Sequence, residues 1–148
     1  MRSLIGTNNS FAPTILRLVL GVVFFAHGAQ KALGWFGGYG FSKTVDSFHN
    51  YFGIPAPLAV LAIAAEFLGG IGLIVGLLSR VAAFGILCNM VVAIFKVHLA
   101  NGLFINWYGT QKGEGYEFHL LAIAIALAIM ILGAGALSLD GLLAKNRT

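Results

Sequence analysis

Four mostly apolar stretches, each as long as a membrane helix, set the terms on which this chain can fold. They run from about Pro13 to Leu33, Pro57 to Leu78, Arg80 to Ala100 and Glu117 to Leu137. About 20 such residues carry an α-helix across the hydrocarbon core of a bilayer. Only 9% of the 148 residues are charged, against roughly 25% in a soluble domain, too few to cover a water-facing surface. The sequence therefore predicts an all-α membrane protein: a four-transmembrane-helix bundle forming a single domain over residues 1–148, with the lipid bilayer as its first partner.

The connections refine this picture. Only the residues around "GLLSR" join the second and third spans, which makes those two antiparallel neighbours. The first two spans are separated by a longer loop containing "WFGGYG" and "FSKTVDSFHNYFG". In the second piece Phe41, Val45, Phe48 and Phe52 recur at helical spacing, with Lys43, Asp46 and Asn50 between them. That pattern predicts a short amphipathic helix lying in the interface. Trp35, Phe36, Tyr39 and Tyr51, with Trp107, Tyr108 and Tyr116 of the next outer loop, are placed as an aromatic belt. Arg2, Arg80, Lys145 and Arg147 fall on one side, with Arg17 within reach. Lys43 and Lys112 fall on the other, with Lys31 and Lys96 near it. The positive-inside rule then puts both termini in the cytoplasm of a bacterial inner membrane. The apolar run starting near Ala12 contains Arg17 and closes without a small-x-small cleavage site, so it reads as a retained span and not a signal peptide.

Several functions are excluded by pattern. The net charge is +4, but the basic residues form no stripe, which argues against nucleic acid as a partner. The one cysteine, Cys88, lies in an apolar run and is expected to be a packed apolar residue. With no Cys-x-x-Cys pair, this chain alone cannot carry dithiol chemistry. The histidines are irregularly spaced and no His-x-x-x-His pair occurs, so there is no metal signature. Haem and flavin signatures are likewise absent.

Where the polar residues fall is the most informative feature. His27, Gln30 and Lys31 sit in the outer third of the first span. Glu66 lies about 13 Å into the second at 1.5 Å per residue. Lys96, His98 and Asn101 close the third span on the outer side, and Glu117 and His119 open the fourth. All four spans thus carry polar groups at the same depth, whereas the inner half holds Asn89, with Arg17 and Arg80 near the surface. An acid as deep as Glu66 is expensive and ordinarily faces a partner inside the bundle. Lys31, Lys96, His27 and His98 are the candidates. His27 and Lys31, four residues apart, share one helical face. Glu66, His27 and Lys31 are therefore the expected catalytic or proton-handling group, with Gln30, Trp35, Lys96, His98, Asn101 and Glu117 as binding residues. Alternatives stand beside this: Lys31 and Lys96 snorkelling to head groups, Glu66 and His27 bonding neighbouring helices, and His98 and His119 bonding backbone at the interface. Asn89 reads as interhelical glue. Gly69, Gly72 and Gly76 read as small residues that permit close helix approach, within the bundle or between copies of a homo-oligomer.

The segments "AHGAQKALGWFGGYG", "FGIPAPLAVLAIAAEFLGGIGLIVGLLSR", "KVHLANG", "GYEFHLLA" and "GALSLDGLL" resemble the DoxX family of small bacterial four-span membrane proteins, in the family's order and over nearly the whole chain. The family takes its name from a subunit of a thiosulfate:quinone oxidoreductase. Its members are associated with quinone, thiol and oxidative stress and with membrane oxidoreductase complexes, and distant eukaryotic relatives act as cargo receptors. The family pattern falls here on His27, Gln30, Lys31, Trp35, Glu66, Arg80, His98, Asn101, Gly102 and Glu117. His119 stands where the family commonly has an apolar residue or proline.

The functional expectation is a redox-related membrane protein. A quinone-like or other small hydrophobic molecule would lie among Phe24, Phe67 and Trp35, take hydrogen bonds from His27, Lys31 or His98, and have its protons managed by Glu66. Electrons would come from a partner, such as a membrane-associated oxidoreductase, or from the substrate. The alternatives are a carrier of small hydrophobic solutes or lipids, and a non-enzymatic adaptor for an oxidoreductase. The cofactor stays unassigned, with quinone as the named possibility; an oxidoreductase subunit acting on quinones stays open, and a fully catalytic single chain finds no support in the sequence alone.

Overall fold

The computed structural model describes residues 2–7 and 9–145, with backbone alone for Arg2 and Ser3. Arg147, used above in the charge balance, lies outside the described residues. Every regular element among the described residues is helical. A short α1 (Arg2–Ile5) precedes α2 (Phe11–Leu33), α3 (Phe41–Phe52), α4 (Ala56–Val75), α5 (Ser79–Ala93), α6 (Glu117–Leu132) and α7 (Leu139–Lys145). A wide π-type turn at Ile94–His98 and a tight turn at Leu99–Asn101 prolong α5.

Local chemistry sets the boundaries. Ser10 caps α2 by accepting a hydrogen bond from the Ala12 N–H at 3.3 Å, and Gly34 ends that helix with φ at 74°, a conformation glycine adopts without strain. The amphipathic segment is α3, with Lys43, Asp46 and Asn50 exposed and the chain turned at its end by Gly53.

Three helices are long and apolar enough to cross a membrane: α2, α4, and α5 with its extension to Asn101. The fourth stretch, expected to continue to Leu137, stops at Leu132. Gly133 breaks it with φ at 83° and ψ at −165°, so α6 has 16 residues and rises about 24 Å against a core of about 30 Å.

The helices form a ring in which α2 packs on α4, α4 on α5, α5 on α6 and α6 back on α2. Leu20, Phe24, Leu73, Ala83, Ile86, Met90, Ala122, Ala126 and Ile129 fill the centre, while Ile15, Val22, Leu61, Leu68, Phe84, Leu121 and Ile131 point outward. An apolar exterior around an apolar interior is what a lipid solvent permits, because apolar surface there needs no burial. The tightest approach is between α2 and α4. A Cβ on Gly28 would lie 2.4 Å from the Phe67 backbone, and one on Gly70 would lie 2.5 Å from the Phe25 nitrogen.

Gly70 is thus the α4 glycine that meets α2; of the three glycines expected to permit close helix approach, Gly69 and Gly72 do so against α5 and Gly76 does not. Gly69 and Gly72 face Ala82, and Gly76 is the left-handed cap of α4. Cys88, expected to be packed, is exposed on α5. Asn89 does bond a neighbouring helix, donating to the Ala62 carbonyl at 2.8 Å.

Candidate functional site

Two polar regions occupy opposite ends of the bundle. The one at the end that carries α1 and α7, which we label inner, is more extensive than the sequence indicates. Arg17, expected near the surface, is 1% exposed. Its Nε donates to the Ala134 carbonyl at 2.8 Å, Nη1 to Leu73 and Ile74 at 2.8 and 2.7 Å, and Nη2 to Leu137 and Ala136 at 2.6 and 3.3 Å. Its planar fork thereby ties the carbonyl end of α4 to the irregular segment 133–138. Asp140, also 1% exposed, accepts from the Leu78 and Ser79 N–H groups at 2.8 and 2.9 Å. It supplies from α7 the cap that the start of α5 lacks locally. Arg80 donates to the Met130 and Ile131 carbonyls at the end of α6, and to Gly6. Apart from the Ser79 hydroxyl and the Arg80 Nε, the buried polar groups of this region have partners, and nearly all of them are backbone groups. This is a latch that closes the fold.

The outer region is built differently. Lys31 Nζ lies 2.5 Å from Glu66 Oε2, with Glu66 6% exposed. The pair bridges α2 and α4 where Gly28 lets the helices touch. Lys31 also reaches the His27 carbonyl at 3.5 Å, one turn back on the same face. His27 is exposed, and its ring stands 6.3 Å from those of Phe24 and Phe118. It lies within electrostatic reach of both Lys31 and Glu66. Next to Phe118, His119 is buried and lies against His98 of the α5 extension, with ring centroids 4.1 Å apart and the rings tilted by 42°. His98 Nδ1 is 2.7 Å from the Glu114 carbonyl. The π-type turn that carries His98 breaks the regular α-helical register, a distortion frequent at functional sites.

The other expected binding residues are placed as follows. Gln30 donates to the Phe36 carbonyl at 3.2 Å, and its own carbonyl accepts from Gly40, so it pins the turn after α2. Asn101 donates to the Glu114 carbonyl at 3.1 Å and pins the loop before α6. Glu117 is half-buried at the head of α6, and Lys96 is exposed, the ion pair of Glu66 being made by Lys31 instead. Trp35 projects outward, edge-on to Phe36. Phe24 belongs to the closed core and Phe67 stacks on Phe25, so these aromatics do not converge on one ring-binding slot. An open groove of about 290 Å³ lies along α3, lined by Tyr39, Lys43, Asp46, Ser47, Asn50 and Tyr51. Another, of about 540 Å³, lies at the inner end beside Leu137 and Ser138. Neither is lined by Glu66. Among the described residues no group of three or more His, Cys, Asp or Glu side chains could hold a metal ion.

The DoxX family profile matches residues 12–99, from the start of α2 to the turn after His98. The chain belongs to the DoxX family. A protein of Haemophilus influenzae named only as uncharacterized is 30% identical over 95% of this DoxX chain and 88% of its own length. A second uncharacterized H. influenzae protein is 32% identical over 88% of the chain and 89% of its own length. The Bacillus subtilis protein named "Putative oxidoreductase CatD" is 27% identical over 95% of the chain and 94% of its own length. No solved structure matches significantly. The family match includes His27, Lys31, Glu66 and His98 and stops short of Asn101, Glu117 and His119. With its long apolar helices, this is a DoxX-family membrane protein.

Arg17 and Asp140 are the residues whose roles sequence reasoning missed. An arginine inside an apolar span was the available signal for the first. Nothing near Asp140 marks the turn it caps, about sixty positions earlier.

Proposed function

We propose that the outer cluster binds the polar head of a quinone-like or other small hydrophobic molecule, and that the protein serves a membrane oxidoreductase system. The observation that carries this reading is the Lys31–Glu66 pair, 2.5 Å apart with Glu66 nearly excluded from solvent. A carboxylate and an ammonium at that depth are retained at a real energetic cost. The pair also lies beside His27, which is exposed and within hydrogen-bonding reach of the Gln30 side chain. A ligand carbonyl or hydroxyl would accept from Lys31 or exchange a hydrogen bond with His27, and Glu66 would take or return a proton. Its ring would lie against His27 and Phe118. The oxidoreductase name of the B. subtilis relative points the same way.

In this reading all four apolar stretches span a bacterial inner membrane, with the short α6 completed by the segment that Arg17 clamps, and both termini are cytoplasmic. Reporter fusions at each terminus test the topology: a translocated C-terminus overturns it. For the ligand, the protein in lipid nanodiscs is titrated with a short-chain benzoquinone. Binding should weaken at least about tenfold in Glu66→Gln, equivalent to about 1.4 kcal/mol. No binding, or equal binding by the variant, sinks the reading.

A second reading, an adaptor that holds a soluble oxidoreductase at the membrane, draws on the exposed outer aromatics Trp107 and Tyr108, at 77% and 90%. Crosslinking that recovers one oxidoreductase regardless of Glu66→Gln favours it.

A further inference from the structure

We infer that His98 and His119 form a single-proton station, a coupled pair that holds at most one proton, at the same end of the bundle as the Glu66 cluster. The inference deepens the proposed function, because the station would serve a ligand that gains or loses protons there.

Three observations carry it. First, the two rings come from different helices and lie 4.1 Å apart between centroids, tilted by 42°, so two charged rings could not be held at that spacing without strong repulsion. Second, His98 Nδ1 faces the Glu114 carbonyl at 2.7 Å. A carbonyl only accepts, so Nδ1 carries the hydrogen and Nε2 is left to take a proton. Third, His119 is 8% exposed and its Nδ1 is buried without a hydrogen-bond partner. A structural histidine normally has its buried nitrogens satisfied. Protonating His119 at Nδ1 would bury a donor with nothing to receive it, so the proton the pair holds belongs on His98.

The two rings differ in their surroundings. His119 lies within electrostatic reach of His27, which in turn feels Lys31 and Glu66. His98 is less buried and is held to the backbone of the outer loop. The titratable groups on the elements surrounding the pair are His27 and Lys31 of α2, Glu66 of α4, Lys96 of the α5 extension, Glu117 of α6 and Glu114 of the loop. The proton enters and leaves at His98 Nε2, the nitrogen that does not face the Glu114 carbonyl. No electron moves, and the pair never carries two charges.

The test is deuterium exchange at the imidazole C2 position, followed residue by residue by mass spectrometry across pH, on the intact protein in nanodiscs. His119→Phe keeps an aromatic ring there but cannot titrate. It should displace the His98 transition by about one pH unit, the coupling at which two sites titrate as a pair. The exposed His49 of α3 should not move. His119→Gln should reproduce the displacement, and His98→Phe should displace His119 reciprocally, which keeps the test usable if a His119 variant fails to insert. Unchanged transitions in these variants overturn the inference. Coupled histidines in a protein that binds no benzoquinone would leave the station standing and remove the ligand reading. Uncoupled histidines with binding intact would do the reverse.

Discussion

The inner latch and the outer cluster are both polar regions inside an apolar bundle, yet they are satisfied in opposite ways. Arg17 donates to five backbone carbonyls and Asp140 accepts from two backbone N–H groups. Their partners are fixed parts of the fold. The outer residues rely on one another. Lys31 pairs with Glu66, His119 lies against His98, and the exposed His27 sits beside Gln30. A region with its principal hydrogen bonds spent on backbone closes a structure. A region with bonding capacity in reserve can accept a ligand or a proton.

The comparison is broken most severely by Arg17→Met. Removing the fork leaves buried carbonyls of α4 and of segment 133–138 unpaired, a loss of about 4 kcal/mol. In a thermal unfolding experiment in nanodiscs this should lower the midpoint by about 10 °C. A fall of only a degree or two would mean that the latch closes nothing. Asp140→Ala is next. It uncaps α5 at Leu78, whose backbone sits in the left-handed region at φ 49°, and should remove about 1–2 kcal/mol. The same unfolding measurement checks it, and benzoquinone affinity should not change. The smallest effect belongs to Lys96→Gln. This lysine is exposed, and the ion pair of Glu66 is made by Lys31 instead, so stability should stay within about 0.5 kcal/mol and binding should match the wild type. A tenfold loss of affinity would bring Lys96 back into the site.

Much of this architecture is legible in the sequence, for physical reasons. Apolar runs report helices because lipid demands them, and the alternation of Phe41, Val45, Phe48 and Phe52 with polar residues marks α3. The depth argument also brings Glu66 and Lys31 to one level, and the structure pairs them. Arg17 escaped because its partners are carbonyls, which every residue has. No side-chain pattern announces a bond to residues 73 and 137. The length of α6 escaped because hydropathy continues past Gly133 while the backbone does not. His119 was discounted on family grounds, although its position in the first turn of α6 already placed it at the common polar depth.

Ligand-linked stabilisation separates the two regions in one experiment. Thermal unfolding of the wild type and of Glu66→Gln is followed with and without a short-chain benzoquinone. A ligand that binds only the folded state at a hundred times its Kd stabilises by about 2.7 kcal/mol. The account predicts that this gain appears in the wild type and is largely lost in Glu66→Gln. A wild type that the quinone leaves unmoved, or a variant that it stabilises equally, would contradict it.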